Sequence, residues 1–218
     1  MALANYSDLQ AATADWLNRS DLTSIIPDFI TNAEARLNAR IRTRDMETSA
    51  SVTFDANGEY TLPADYLEWR SITINSTPSA RPEFTEPDSA EFMYKFRPNS
   101  PSQYFAILGT KVKLQPSYSG TGTFVYYGKI PSLSVGSPTN WLLTKAPDVY
   151  LYAVLVEGAF YLKDEAAALG YSQKLEAALE NLQSIDRVAH LRRQQGAVPG
   201  PSAKTMDMMG SVSQAGAR

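Results

Sequence analysis

Apolar positions crowd most densely into Val149–Leu162 (VYLYAVLVEGAFYL), where only Glu157 and Gly158 interrupt the run. No stripe of this segment is polar, so it predicts a helix buried on every side. Pro147 suits a first-turn position, where its missing N–H costs nothing, and Asp148 complements the positive end of the helix dipole. Its fourteen residues would span only ~21 Å, against the ~20 apolar residues that a bilayer crossing needs. The segment therefore reads as the central helix of a helical core. Glu157 within it needs a partner, because an unpaired buried charge is costly, and Arg36 or Arg40 is the expected one.

Three amphipathic patterns supply covers for that helix. In Tyr6–Leu17, Leu9, Ala12, Trp16 and Leu17 fall on one face, and Ser7 with Gln10 has capping-box spacing. Asn18–Asp21 breaks the helix, with Asp21 expected to cap the next one. Pro27 opens a second helix reaching about Arg42, in which Ile26, Ile30, Ala33, Leu37 and Ile41 recur at helical spacing beside Phe29. Thr139–Leu143 predicts a short helical turn with Trp141 on the core. Beyond Lys163-Asp164, where Asp164 is a good cap, a long helix runs over Glu165–Arg193. Its stripe is Leu175, Ala178, Leu179, Leu182, Ile185 and Ala189, and Gly170 marks an expected bend.

Between the helical stretches the period falls to two. Ser49–Phe54 and Glu59–Leu62 flank Asn57-Gly58, a tight-turn pair, and so predict a hairpin. Glu68–Asn75 follows as a strand with Trp69, Ser71 and Thr73 on one face and Arg70, Ile72 and Ile74 on the other. Pro87–Tyr94 predicts a short helix. Gln103–Leu108 and Lys111–Gln115 flank Gly109-Thr110, and Thr121–Tyr127 follows Ser119-Gly120. The block is expected to be a small antiparallel sheet inserted into a helical domain. Gly196–Arg218 is rich in Gly, Ser, Ala and Pro without an aromatic residue. Such a segment cannot offset its ordering entropy alone, and is expected to be disordered or extended until bound.

Composition narrows the chemistry. The 218 residues include no Cys and one His, which excludes disulfides, thiolate metal sites and a Cys nucleophile. No signal peptide or membrane span is visible, so folding in a cytoplasm is expected. His190 stands among Arg187, Arg192 and Arg193 with Asp186 as its one local carboxylate, and reads as a solvated helix end rather than a general base. No Ca²⁺-loop pattern exists, and Asp164-Glu165 reads as a helix start. Gly120-Thr-Gly122 lacks the third glycine and the helix of a phosphate cradle. Glu83, Glu86 and Asp88 read as solvated surface; only as paired catalytic carboxylates would they support an enzyme. No catalytic residue, cofactor or metal is assigned.

Charge placement says more. The net charge of −3 gives no general pull toward nucleic acid or membrane. Arg36, Arg40, Arg42 and Arg44 nevertheless crowd one helix end, more than the dipole needs. Arg187, Arg192, Arg193, Lys204 and Arg218 make the last segment basic against a single acid, Asp207. A basic end on an acidic body suits docking onto an acidic protein surface or loose contact with DNA. The rival to a docking role is thus a nucleic-acid-binding module using the Arg-rich helix ends, without a base-reading motif. Tyr60, Tyr66, Tyr94, Tyr104, Tyr118, Tyr126 and Tyr127 suit either an interface or a minimal sheet core.

Three separated stretches carry a family likeness: residues 6–47 (YSDLQAATADWL through TRDME), 61–72 (TLPADYLEWRSI) and 138–166 (PTNWLLTKAPDVYLYAVLVEGAFYLKDEA). They resemble the head-to-tail adaptor proteins of short-tailed and related tailed bacteriophages. The resemblance implies a ring, usually of twelve copies, beneath the portal vertex. Such a ring joins the portal protein to the tail nozzle or tail tube and lines the channel through which genome DNA passes without sequence-specific binding. It also implies a C-terminal segment that orders on the portal. The resulting expectation is an α+β chain without enzymatic activity. Residues 1–47 and 139–195 form its helical bundle, 48–138 an inserted β domain and 196–218 an extended tail. Its place is the virion neck, with assembly in the host cytoplasm. Portal contact is expected from Arg187, Arg192, Arg193, Lys204 and Arg218.

Overall fold

The computed structural model describes residues 3–89 and 104–196, with side chains as far as residue 188. Helices α1 (Tyr6–Leu17) and α2 (Ile26–Arg40) open the chain, and α3 (Trp141–Lys145), α4 (Pro147–Tyr161) and α5 (Glu165–Gly196) close it. Among the described residues seven strands lie between: β1 (Glu47–Phe54), β2 (Glu59–Thr61), β3 (Tyr66–Ile74), β4 (Glu83–Phe84), β5 (Tyr104–Leu108), β6 (Lys111–Gln115) and β7 (Gly120–Gly128). The class is α+β.

Pro147 is in the first turn of α4, and the helix packs on α1, α2, α3 and α5. Val149, Tyr150, Ala153, Val154, Leu155 and Val156 are all sealed from solvent. Gly158 belongs to this packing, since a Cβ there would stand 2.6 Å from Leu17 Cδ1. Phe160 and Tyr161 at its end are exposed, as is Asp148 at its start. The α2 stripe of Ile26, Phe29, Ile30, Ala33, Leu37 and Ile41 is buried in full.

The helix ends depart from expectation. Asn5, not Ser7, caps α1: its Oδ1 accepts the Asp8 N–H at 3.0 Å, and Asp8 reaches back to accept the Ala4 N–H. Asp21 caps nothing and instead takes a two-pronged ion pair from Arg19 at 2.7 Å. Asp164 accepts the Ala167 N–H at 2.9 Å and so caps α5. Gly170 does not interrupt that helix.

The β block is two sheets rather than one. β1-β7-β3 is antiparallel, and β2-β6-β5-β4 carries one parallel pair, β4 with β5. The Asp55–Gly58 turn forms, but its flanking strands part: β1 pairs with β7 and β2 with β6. The reason lies in the inner faces. Val52, Phe54, Ile72, Ile74 and Phe124 of one sheet meet Phe105, Val112 and Leu114 of the other in a single core, and two facing sheets bury each other's inner face. A bulge at Arg70 corrects the faces of β3. Trp69 pairs with Tyr126 and Ile72 with Phe124, so the extra residue brings Trp69 onto the core side with Ile72 and Ile74. Of the helix expected at Pro87–Tyr94, residues 87–89 are helical and the remainder lies outside the described residues.

Candidate functional site

Helix α4 runs against both α2 and α5, which gives the bundle two ends. Tyr161 at the finish of α4 touches Phe29 at the start of α2, ring centres 5.3 Å apart. From there α2 runs back to the end where the strands begin, and α5 runs back the same way. Arg40 at the end of α2 pairs with Glu176 of α5 at 2.6 Å, and the Arg44 N–H donates to Asp186 at 3.3 Å.

The arginine cluster on α2 is largely matched by carboxylates of other elements. Arg36 pairs with Glu157 of α4 at 2.6 Å, and Arg40 pairs with Glu176 instead. Arg42 pairs with Glu68 of β3 at 3.0 Å and also donates to the Asn38 and Ile41 carbonyls. Each guanidinium ties α2 to a different neighbour, and only Arg44 makes no side-chain ion pair among the described residues. The Arg40 guanidinium is held above its ordinary pKa by Glu176, and the Glu176 carboxyl below its own by Arg40. That arrangement leaves little free cation for nucleic acid at this helix end.

The most buried charge is Glu34, which sequence reasoning passed over. It is 5% exposed, while the Glu157 side chain keeps 15%. Glu34 Oε1 accepts the Tyr150 hydroxyl at 2.8 Å and the Leu133 N–H at 2.7 Å. Asn140 donates to the Tyr150 oxygen at 2.9 Å and to the Pro131 carbonyl at 2.7 Å, while its Oδ1 caps α3 through the Leu143 N–H. Asn38 Oδ1 accepts the Ile130 N–H at 2.8 Å. Burial, then the charge of Glu34, pushes the Tyr150 hydroxyl far above its ordinary pKa, so it remains a donor. The network laces the 130–140 connector onto α2 and α4, which fixes where the chain returns from the strands. Its signal was present in the sequence: Glu34 stands four residues after Ile30 and three before Leu37, on the apolar face of α2.

The C-terminal candidates are only partly placed. At 32 residues against 15, α5 outreaches α4 by about 25 Å. Leu175, Leu179 and Leu182 of its stripe are buried, whereas Ile185 is 53% and Val188 48% exposed. The expected stripe thus continues beyond the surface that covers it. Arg187 is exposed on the same projecting stretch. The backbone of Ala189, His190, Arg192 and Arg193 is helical, but their side chains are not described, and Lys204 and Arg218 lie outside the described residues.

The other candidates stay apart. Glu83 is in the short β4, with Glu86 in the following loop and Asp88 in the helical turn beyond. Among the described residues no three His, Cys, Asp or Glu side chains gather as metal ligands, and no helix is long and apolar enough to cross a membrane. Gly122 is a packing residue, because a Cβ would stand 2.7 Å from the Thr73 carbonyl oxygen. Tyr60, Tyr66 and Tyr126 line the sandwich core, and burial pushes the Tyr126 hydroxyl up to about 12. The described residues include two open grooves. One, of about 430 Å³, runs beside Glu34, Asn38, Arg42 and Lys129. The other, of about 500 Å³, lies between β3 and β4 beside Trp69, Arg81 and Phe84. Neither gathers a nucleophile with a base.

Comparison with known proteins gives a direct family assignment. No curated protein matches the chain. The SU10 adaptor protein family matches residues 4–199, which take in both arms of the bundle, the strands between them and the whole of α5. The chain belongs to the SU10 adaptor protein family, a family of phage head-to-tail adaptors.

Proposed function

We propose, from its family membership, that this is a structural phage protein of the virion neck, associated with portal and tail components. Beyond that, we propose that it forms a ring, of about twelve copies in keeping with the family resemblance, that joins the portal to the tail nozzle and frames the DNA exit channel without enzymatic activity. In this reading 1–47 and 139–195 make the scaffold, and the 48–138 block projects toward the nozzle or neighbouring subunits. Arg187, Arg192, Arg193, Lys204 and Arg218 meet the portal. Assembly takes place in the host cytoplasm.

The family match carries the proposal. The projection of α5 supports the C-terminal contact, because it carries the basic end away from the bundle. Pairing of Arg36, Arg40 and Arg42 with carboxylates favours docking over DNA binding at the α2 end. The test is a pull-down with the portal protein of the same phage. Full-length protein is expected to be retained, and a chain ending at residue 195 to be lost. Retention of the truncated chain would remove the tail from portal binding.

A further inference from the structure

Among the described residues the two sheets have four edge strands, and three of them are blunted. β2 has three residues, and β4 has two between Pro82 and Pro87. β3 carries the charged Glu68 and Arg70 with breaks in its register beside them, and Ala80 bridges back onto Ile74 at its end. Short strands, charges and bulges keep a sheet edge from pairing with another chain. β1 has none of these. It runs for eight residues, about 26 Å, in unbroken register with β7. Residues 48–53 include no charge, proline or glycine.

The hydrogen bonds of the sheet fix which groups of β1 point outward. The Asn75 N–H donates to the Thr121 carbonyl at 3.0 Å, so Thr121 turns its backbone toward β3. Thr121 stands opposite Thr53, and the bonded side alternates along an antiparallel ladder. Thr53, Ser51 and Ser49 therefore direct N–H and C=O away from β7. Asp55, in step with them, does use that side: its N–H donates to the Glu59 carbonyl at 3.0 Å where the turn begins. At the other end the Glu47 N–H is taken by the Arg44 carbonyl. Between these limits no described residue bonds the outward groups of Ser49, Ser51 and Thr53. All three residues are exposed, on the face opposite Val52 and Phe54.

We propose that the outer edge of β1 receives an extended segment of a tail protein as an added strand, paired on Ser49, Ser51 and Thr53. A row of free amides and carbonyls in extended geometry is matched by another strand, and the small side chains at 49–51 leave the backbone open to it. Asp55 sets a second requirement. Its carboxylate makes no ion pair among the described residues, and nearby Lys111 is taken by Glu59 at 2.8 Å. Glu47, at the other end, is matched by Arg70 at 3.0 Å. The incoming segment is therefore uncharged and strand-forming over its middle, with a Lys or Arg beside Asp55. A second copy of β1 fits less well. Parallel and in register it sets Asp55 against Asp55, and antiparallel over the same residues it brings Phe54 and Asp55 to Glu47. The proposal rests on the reading that the β block faces the tail nozzle, and adds the surface and the bonding used.

The experiment uses the full chain with the purified tail nozzle protein of the same phage, and with the portal protein as a second arm. Amide exchange at Ser49, Ser51 and Thr53 is expected to be fast in the free chain and at least about tenfold slower in the nozzle complex. Ser51→Pro removes one outward N–H and spares the ladder to β7, since proline is tolerated on the open side of an edge strand. It should bind the nozzle protein at least about tenfold more weakly and the portal unchanged. Ser51→Ala keeps the amide and should bind both as wild type does. Unchanged exchange in the complex, or full nozzle binding by Ser51→Pro, would overturn strand addition and leave the nozzle reading standing. Loss of binding by Ser51→Ala would overturn it in favour of a side-chain contact. Slow exchange at the three amides in the free chain would overturn it too, because the chain itself or a second copy would already cover the edge. If Ser51→Pro does not fold, the exchange of wild type decides. Wild type that binds portal but not nozzle protein would remove both strand addition and the nozzle reading, and binding to neither would remove the joining role altogether.

Discussion

In the bundle, one helix places nine residues out of reach of solvent, and its neighbours each bury a single stripe against it. In the sandwich no strand plays that part. β7, flanked on both sides, still alternates between buried and half-buried positions, and burial arises only where the two sheets face each other. The chemistry of the two cores differs as well. The bundle core is mainly aliphatic around Tyr150 and Phe29, and holds a buried carboxylate, Glu34, in a polar network. The sandwich core mixes Val, Ile and Leu with a denser set of rings, with Tyr60, Trp69, Phe105 and Phe124 in ring contacts at 5.2–6.4 Å. The hub helix gathers partners from both sides of the β block, α1 and α2 from before it and α3 and α5 from after it. The sandwich is built from strands of one continuous block whose pairing crosses that block, so its assembly follows from the whole of it.

The two regions meet through polar ties as well as apolar contact, since Leu67 of β3 and Tyr127 of β7 pack against the bundle core. Arg42 to Glu68, Lys145 to Asp45, the Ile130 N–H to Asn38 and the Leu133 N–H to Glu34 all lie at or beside the junction. In the proposed ring, such a junction would fix the angle between the bundle and the β block.

Trp69 is in the sandwich and Trp16 and Trp141 are in the bundle, so variants retaining one or other set report on each region separately. Phe124→Ala, in the middle of the sandwich core, should cost about 3–5 kcal/mol. It should shift the urea midpoint read by Trp69 further than that read by Trp141. Equal shifts would show that the two regions unfold as one unit and would break the comparison. Glu34→Ala should cost about 2–4 kcal/mol, because the Tyr150 hydroxyl and the Leu133 N–H lose their acceptor in a buried site. Here the bundle probe should move more; an unchanged midpoint would mean that the connector is held by apolar packing alone.

The smallest effect belongs to the exposed Arg40–Glu176 pair. Arg40→Ala should cost at most about 0.2–1 kcal/mol. The Glu176 carboxyl is lower in the folded chain than in the unfolded one, so its contribution is present above the unfolded value. It is lost as the pH falls through the folded value. The wild-type advantage over Arg40→Ala should therefore shrink on acidification, as followed by thermal unfolding between neutral and acid pH. An advantage that grew in acid would put the lowered carboxyl elsewhere.

Periodicity alone located α1, α2, α4 and α5 and the buried stripe from Ile26 to Ile41, because a helix closes its hydrogen bonds locally and its burial pattern repeats every turn. Single-strand alternation likewise marked the strands other than β4, whose two residues are too few to show a period. What only the tertiary structure decided was everything set by distant partners. The Asn57-Gly58 turn was legible, but not that its two strands would leave for different sheets, since strand pairing is chosen across the block. Trp69 changed face because a one-residue bulge at Arg70 reverses a period of two. Glu157 advertised itself inside an apolar run, whereas Glu34 became the deeper charge only once the 130–140 connector folded over it. The apolar stripe of α5 ran on past Leu182 in the sequence; that Ile185 and Val188 would project uncovered followed from where the bundle ends. Sequence fixes which side of an element is apolar, and the tertiary structure decides what, if anything, comes to cover it.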